Sequence, residues 1–185
     1  MRLRAATPDD AAAIALVYAP FVSGSAVSFE TEPPDEPAMR ARIEAGGGLH
    51  PWLVGEDGDG RLLGYAYGAR FRDRPAYRFA VETSIYLRAD CAGRGIGRQL
   101  YGLLLAMLEA RGFTQAVAAI TLPNEASVRL HERLGFEPAG TYRQVGWKLG
   151  AWHDVGLWQR KLAPAGVPPA EPRSLPLVGW LDRQP

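Results

Sequence analysis

The chain has 185 residues, 47% of them hydrophobic and 22% charged, with 21 basic against 20 acidic side chains and a net charge of +1. That length is about one domain and needs neither disulfides nor a metal to complete its core. The charge balance gives no support for a nucleic-acid partner or for polybasic attachment to a membrane, so any anion site must be local. The single cysteine, Cys91, excludes an internal disulfide and fits a reducing cytoplasm. No apolar run approaches the ~18 residues of a membrane span, and the N-terminus lacks the apolar core of a signal peptide.

Arg2 to Ala5 reads as an opening strand. Thr7-Pro8-Asp9-Asp10 starts a helix, with Thr7 as cap and Asp10 at capping-box spacing; Ile14, Val17, Tyr18 and Phe21 give it an apolar face. A second short helix runs from about Pro37 to Ala45 and ends at Gly46-Gly47-Gly48. Two strands, Trp52 to Glu56 and Leu62 to Arg70, flank a hairpin turn at Asp57-Gly58-Asp59-Gly60. Tyr77 to Leu87 is the central strand, with Glu82, Ser84 and Tyr86 on one face and Val81, Thr83 and Ile85 on the other. A helix follows from Gly97 to Arg111, its apolar stripe formed by Leu100, Leu103, Leu104, Met107 and Leu108. Then come a buried strand, Ala116 to Thr121, a helix, Asn124 to Leu134, and two late strands near Gly140 to Val145 and Val155 to Leu162. The prolines from Pro164 onward make residues 164–185 an extended tail, in which Leu175, Leu177, Val178 and Trp180 are apolar enough to dock on a neighbouring subunit. This order predicts an α/β sandwich with one central crossover.

The most informative stretch joins the central strand to the helix after it: Ile85-Tyr86-Leu87, then Ala92-Gly93-Arg94-Gly95-Ile96-Gly97-Arg98. Glycines let backbone N–H groups at a helix start close on a phosphate, and Arg94 and Arg98 add charge. The spacing lacks the third-glycine offset of the Rossmann fingerprint, and no Gly-Lys-Ser/Thr follows as in a Walker loop. Glu82 is an unusual residue for mid-strand, either a salt-bridged structural carboxylate paired to Arg72 or Arg78 or a general base. His131 is either a core histidine or a proton carrier. The chain has three histidines, none spaced with another as metal ligands, so no metal is expected.

Gly93-Arg94-Gly95-Ile96-Gly97 resembles the pyrophosphate loop of the GNAT N-acetyltransferases. The later block Asn124, Ser127, His131, Gly135, Phe136 resembles that family's Asn-x-x-(Ala/Ser)-x-x-x-(Tyr/His)-x-x-x-Gly-Phe helix. Val27-Ser28-Phe29-Glu30, Val81-Glu82-Thr83-Ser84-Ile85-Tyr86, Leu122-Pro123-Asn124 and Trp152-His153-Asp154-Val155-Gly156 are similar to the phosphinothricin and methionine sulfoximine N-acetyltransferase branch. The likeness spans about Arg2 to Leu162. One departure is Ala92, where the family usually has Gln or Arg; a weaker phosphate contact is expected there.

The resemblance implies a GNAT domain over residues 1–163, a mixed, mostly antiparallel sheet flanked by helices, followed by the tail. It implies acetyl-CoA as co-substrate, a small amino-acid-like amine as acceptor, and a homodimer. Glu82 and His131 become the catalytic candidates. Backbone groups of Ile85, Tyr86 and Leu87, the loop Gly93, Arg94, Gly95, Ile96, Gly97 and Arg98, and Asn124 and Ser127 would bind the coenzyme. Arg72, Asp73, Arg74, Thr83 and Ser84 would meet the acceptor, with a solvated loop the alternative for Asp73 and Arg74; Phe29, Tyr67 and Tyr77 either wall the pocket or belong to the core. Trp147, Trp152 and Trp158 are expected to pack. Two other readings remain: the same chemistry on a polyamine, aminoglycoside or protein N-terminus, and a non-catalytic acyl-CoA sensor. The basic Phe71 to Arg78 stretch argues against a polycationic acceptor.

Overall fold

A computed structural model describes residues 1–176. Strand β1 (Arg2–Ala5) leads through a 3-10 turn at Pro8–Asp10 into helix α1 (Ala11–Ser23), followed by α2 (Glu36–Gly46), β2 (Trp52–Glu56) and β3 (Leu62–Arg70). Then come β4 (Ala80–Leu87), α3 (Ile96–Ala110), β5 (Gln115–Leu122), α4 (Glu125–Arg133), β6 (Glu137–Lys148) and β7 (Ala151–Lys161). The capping box at Thr7 forms as expected, the Thr7 N–H donating to Asp10 Oδ2 at 2.7 Å, but it closes the 3-10 turn and not the α-helix itself. The central strand is shorter at its start than its alternation predicts, because Pro75–Tyr77 takes a 3-10 turn. The last two strands are much longer than expected, since their polar outer residues hide the strand signal.

The strands form one seven-stranded sheet in the order β1-β2-β3-β4-β5-β7-β6. Every pairing is antiparallel except β4 with β5. Side chains alternate across the sheet. Trp52, Val54 and Tyr65 face α1 and α2, packing with Ile14, Val17, Tyr18 and Met39. Leu53, Ala66 and Val81 face α3, against Leu100, Leu104 and Leu108. The buried stripe of α3 also includes Tyr101 and Leu105, whereas Leu103 is only half-buried.

The parallel pair decides where a ligand can enter. Ala80, Val81 and Glu82 are in register with Gln115, Ala116 and Val117, and there the pairing stops. Beyond that point β4 stays with β3 as far as Leu87, and β5 stays with β7 as far as Leu122. The two central strands therefore part in the middle of the sheet and leave facing backbone edges without a strand partner.

Residues from Pro164 to Pro176 form no helix or strand, yet they lie against the domain. The buried Arg111 side chain donates to Gly48 O at 2.8 Å, Met107 O at 2.9 Å and Leu175 O at 3.0 Å, while the Arg173 N–H donates to Arg111 O. Leu177, Val178 and Trp180 lie outside the described residues. Among the tryptophans, Trp158 is buried, but Trp147 and Trp152 are 60% and 58% exposed, so the expectation of packing fails for both. They face each other across the tip of the β6–β7 hairpin. No helix among the described residues is long and apolar enough to cross a membrane.

Candidate active site

The site begins at the backbone. The Arg88 N–H donates to Leu63 O, on the β3 side, and Phe79 O accepts from Thr114 N, on the β5 side. Backbone groups alternate along a strand, so those of Thr83, Ile85 and Leu87 point toward β5, where the partner strand has moved away. Unpaired backbone donors and acceptors at a strand edge suit an extended amide-bearing ligand lying as an added strand. Tyr86, grouped with Ile85 and Leu87 from the sequence, differs. Its backbone points to β3, and its ring joins Tyr18, Phe21 and Tyr65 at centroid distances of 4.8–5.4 Å.

At the end of β4 the chain turns through a 3-10 segment, Ala89–Cys91, into the glycine loop. Gly93 and Gly95 hold φ of +74° and +76°, a region open to glycine at little cost, and no atom lies within 4 Å of where a Cβ would sit on either. Gly95 is the N-cap of α3 and supplies no side-chain cap, so the first N–H groups of the helix stay bare. Arg94 and Arg98 are exposed beside them. Gly97 serves packing instead: a Cβ there would come within 3.1 Å of Leu87 and 3.4 Å of Leu130. Cys91 is buried against Leu63 and Ile96. An exposed turn of free N–H groups, two arginines and a positive dipole end fits a diphosphate.

Between the parted strands lies a cleft lined by Thr83, Ser84, Ile85 and Tyr86 on one side, and by Ala119, Ile120 and Thr121 on the other. Asn124, Ser127 and His131 of the α4 region and Val27 complete it. Asn124 caps α4, its Oδ1 accepting from the Ser127 N–H at 3.1 Å. His131 is 3% exposed. Its Nδ1 lies 2.8 Å from Ser127 O, an acceptor only, so Nδ1 carries the proton. Nε2 then accepts from Tyr101 OH at 3.1 Å, and Tyr101 OH in turn lies 2.6 Å from Thr83 Oγ1. Burial holds the His131 pKa below its usual value, against the opposing Ser127 bond, so the ring is neutral at neutral pH. Tyr101 escaped the sequence reading because it sits inside an apolar helical stripe. A hydroxyl at a core position was its only mark.

Glu82 occupies the opposite face of β4. Burial raises its pKa, with the nearby Arg72 charge opposing. Arg78, considered above as its partner, is instead forked onto Glu171 at 2.6 and 2.7 Å. Among the described residues Glu82 makes no salt bridge, so the structural-pair reading has no support. Ser84 and Tyr67 share its face, and Tyr67 stacks on Trp52 at 4.1 Å. Arg72 lies over the Phe71 ring at 4.9 Å, in an exposed loop with Asp73, Arg74 and Tyr77. Thr83, grouped with these from the sequence, points the other way, into the Tyr101–His131 chain.

A carboxylate with a raised pKa, a strand edge free to pair with amides and a glycine turn suited to a diphosphate thus follow one another along β4 and the turn that leaves it. Residues 3–157 match the family model of the acetyltransferase (GNAT) domain. The chain belongs to the GNAT acetyltransferase family. Among its GNAT relatives, the phosphinothricin N-acetyltransferase of Streptomyces viridochromogenes is 40% identical over 173 residues, covering 93% of this chain and 94% of that protein. The L-methionine sulfoximine/L-methionine sulfone acetyltransferase of Pseudomonas aeruginosa is 42% identical over 120 residues, 65% of this chain and 70% of that one. The crystal structure of a GNAT phosphinothricin acetyltransferase from Sinorhizobium meliloti in complex with acetyl-CoA matches with a TM-score of 0.86. It is 38% identical, and the match covers 93% of this chain and 92% of that one. This GNAT chain is an acetyl-CoA-dependent N-acetyltransferase of the phosphinothricin and methionine sulfoximine type.

Proposed function

We propose that the chain transfers the acetyl group of acetyl-CoA to the α-amino group of phosphinothricin, methionine sulfoximine or a similar amino acid, by direct attack while both substrates are bound. The observation that carries this is the placement of Glu82. It stands unpaired and part-buried on β4 beside the parted strands, with Arg72 as the nearby cation. The glycine turn from Gly93 to Gly97, with Arg94 and Arg98, holds the diphosphate of the coenzyme, and the Ile85 and Leu87 backbone groups pair with its amide-bearing arm. Asn124 and Ser127 stand at the cleft wall beside that arm.

On the acceptor side, Arg72 takes the carboxylate or phosphinate of the amino acid, with Ser84 and the Asp73–Arg74 loop around it. Glu82 accepts the amine proton, the nitrogen attacks the thioester carbonyl, the C–N bond forms and the C–S bond breaks, and the thiolate leaves. Glu82 suits this step better than His131, because both ring nitrogens of His131 are already engaged. His131 works through its chain to Tyr101 and Thr83. If it gains a proton, the chain reverses, and Thr83 Oγ1 then donates to Val117 O at 3.2 Å, so no group is left unsatisfied.

The enzyme acts as a homodimer through the exposed apolar face of the β6–β7 hairpin. Release of free thiol from acetyl-CoA, measured against a panel of amines, tests the acceptor class. Turnover with phosphinothricin or methionine sulfoximine, and little with polyamines or aminoglycosides, is expected. Coenzyme binding with no turnover on any amine would favour a sensor instead.

A further inference from the structure

Lys148 ends β6 with its ammonium group buried, the residue being only 8% exposed. Buried lysines are rare and usually face a carboxylate. This one faces main chain: Nζ donates to Val22 O at 2.5 Å and to Ser28 O at 2.6 Å. Glu30 is the acid that feels its charge, and Glu30 is already forked onto Arg42 at 2.8 and 2.9 Å. The two carbonyls bracket a stretch that leaves α1 at Ser23 and takes no regular structure afterwards.

That stretch borders the cleft. Val27 lines it together with Ser84 and Tyr86. Phe29 lies on the hairpin, where a Cβ at Gly146 would run into its ring, and it stands 6.3 Å from His153. Ser28 Oγ is 2.6 Å from Tyr18 OH, which also donates to Glu30 at 2.8 Å, and the Tyr18 ring packs edge-on against Tyr86. An irregular segment free to move would have to be ordered each time a small acceptor bound beside it, which costs affinity. Two charge-assisted bonds from one buried ammonium remove that cost in advance. An apolar residue at 148 would leave both carbonyls buried and unpaired.

We propose that Lys148 is a positioning residue for the acceptor. It pins residues 22–30 to the hairpin so that Val27 walls the cleft on the Ser84–Tyr86 side while Phe29 stays seated on Gly146, and it touches neither substrate. The inference rests on reading the Glu82–Arg72 side as the acceptor side. Its test is steady-state kinetics of the full-length Lys148→Met enzyme with phosphinothricin or methionine sulfoximine, varying each substrate in turn. The KM for the amine should rise roughly tenfold, while kcat and the KM for acetyl-CoA stay within about twofold. Gly146→Ala, which displaces Phe29 from the other side, should show the same selective rise, and it decides the matter if Lys148→Met does not fold. An unchanged amine KM, or equal change in both KM values, overturns the proposal. Arg72→Ala separates the two claims. If it raises the amine KM and the other variants do not, only the role of Lys148 falls; if it too leaves the amine KM unchanged, the acceptor-side reading falls with it.

Discussion

In the proposed reaction Glu82 and Arg72 set the pH behaviour between them. Burial raises the Glu82 pKa and the Arg72 charge pulls it back. As a base Glu82 must be ionised, so kcat/KM for the amine should rise with pH through a limb above the ordinary glutamate range. Arg72→Ala removes the opposing charge and should move that limb further toward alkaline pH, which a pH–rate profile reads directly. An unmoved limb would detach Arg72 from Glu82. The same raised pKa has a stability consequence. The folded state holds the Glu82 proton more tightly than the unfolded chain, so the ionised carboxylate costs stability as pH rises through the folded pKa. A neutral glutamine there is not expected to unfold the protein. At this scale the sequence showed Glu82, because an acid in mid-strand is conspicuous. It did not show Tyr101, whose partners lie 18 and 30 positions away, or Lys148, whose partners lie more than 100 positions away in the chain.

The elements were legible where turns are punctuated. Gly93, Gly95 and the apolar spacing of α3 mark the strand-to-helix turn without any tertiary information, and the left-handed φ values bear that out. The β6–β7 hairpin was less legible, since its strands carry few buried residues and a register shift between Tyr142 and Gly146. Its tip exposes Tyr142, Val145, Trp147, Leu149 and Trp152 together. An apolar patch of this kind on one hairpin is where the proposed dimer would form. Replacing Trp147 and Trp152 with serine should convert the proposed dimer into a monomer in analytical ultracentrifugation. Sedimentation of the unmodified chain as a monomer at micromolar concentration would refute the dimer.

For the whole molecule, alternation and helix periods predicted the α/β class, and two motif blocks on α3 and α4 pointed to the family. The parting of β4 from β5 could not be read in advance. It arises because each strand keeps its register with its outer neighbour while the pair between them fails after Glu82 and Val117. That parting leaves an unpaired strand edge along β4, between the part-buried Glu82 and the glycine turn that follows the strand. The tail from Glu171 to Leu175 is likewise a tertiary matter: Arg78 and the buried Arg111 hold it to the domain. The proposed chemistry turns on Glu82 as the base in a coenzyme site that stands without it. The most direct measurement compares Glu82→Gln with the unmodified enzyme, recording kcat and, by calorimetric titration, the Kd for acetyl-CoA. A fall in kcat of about 10²–10⁴-fold with Kd held within a few-fold is the result expected. Undiminished turnover, or a parallel loss of coenzyme affinity, would contradict it.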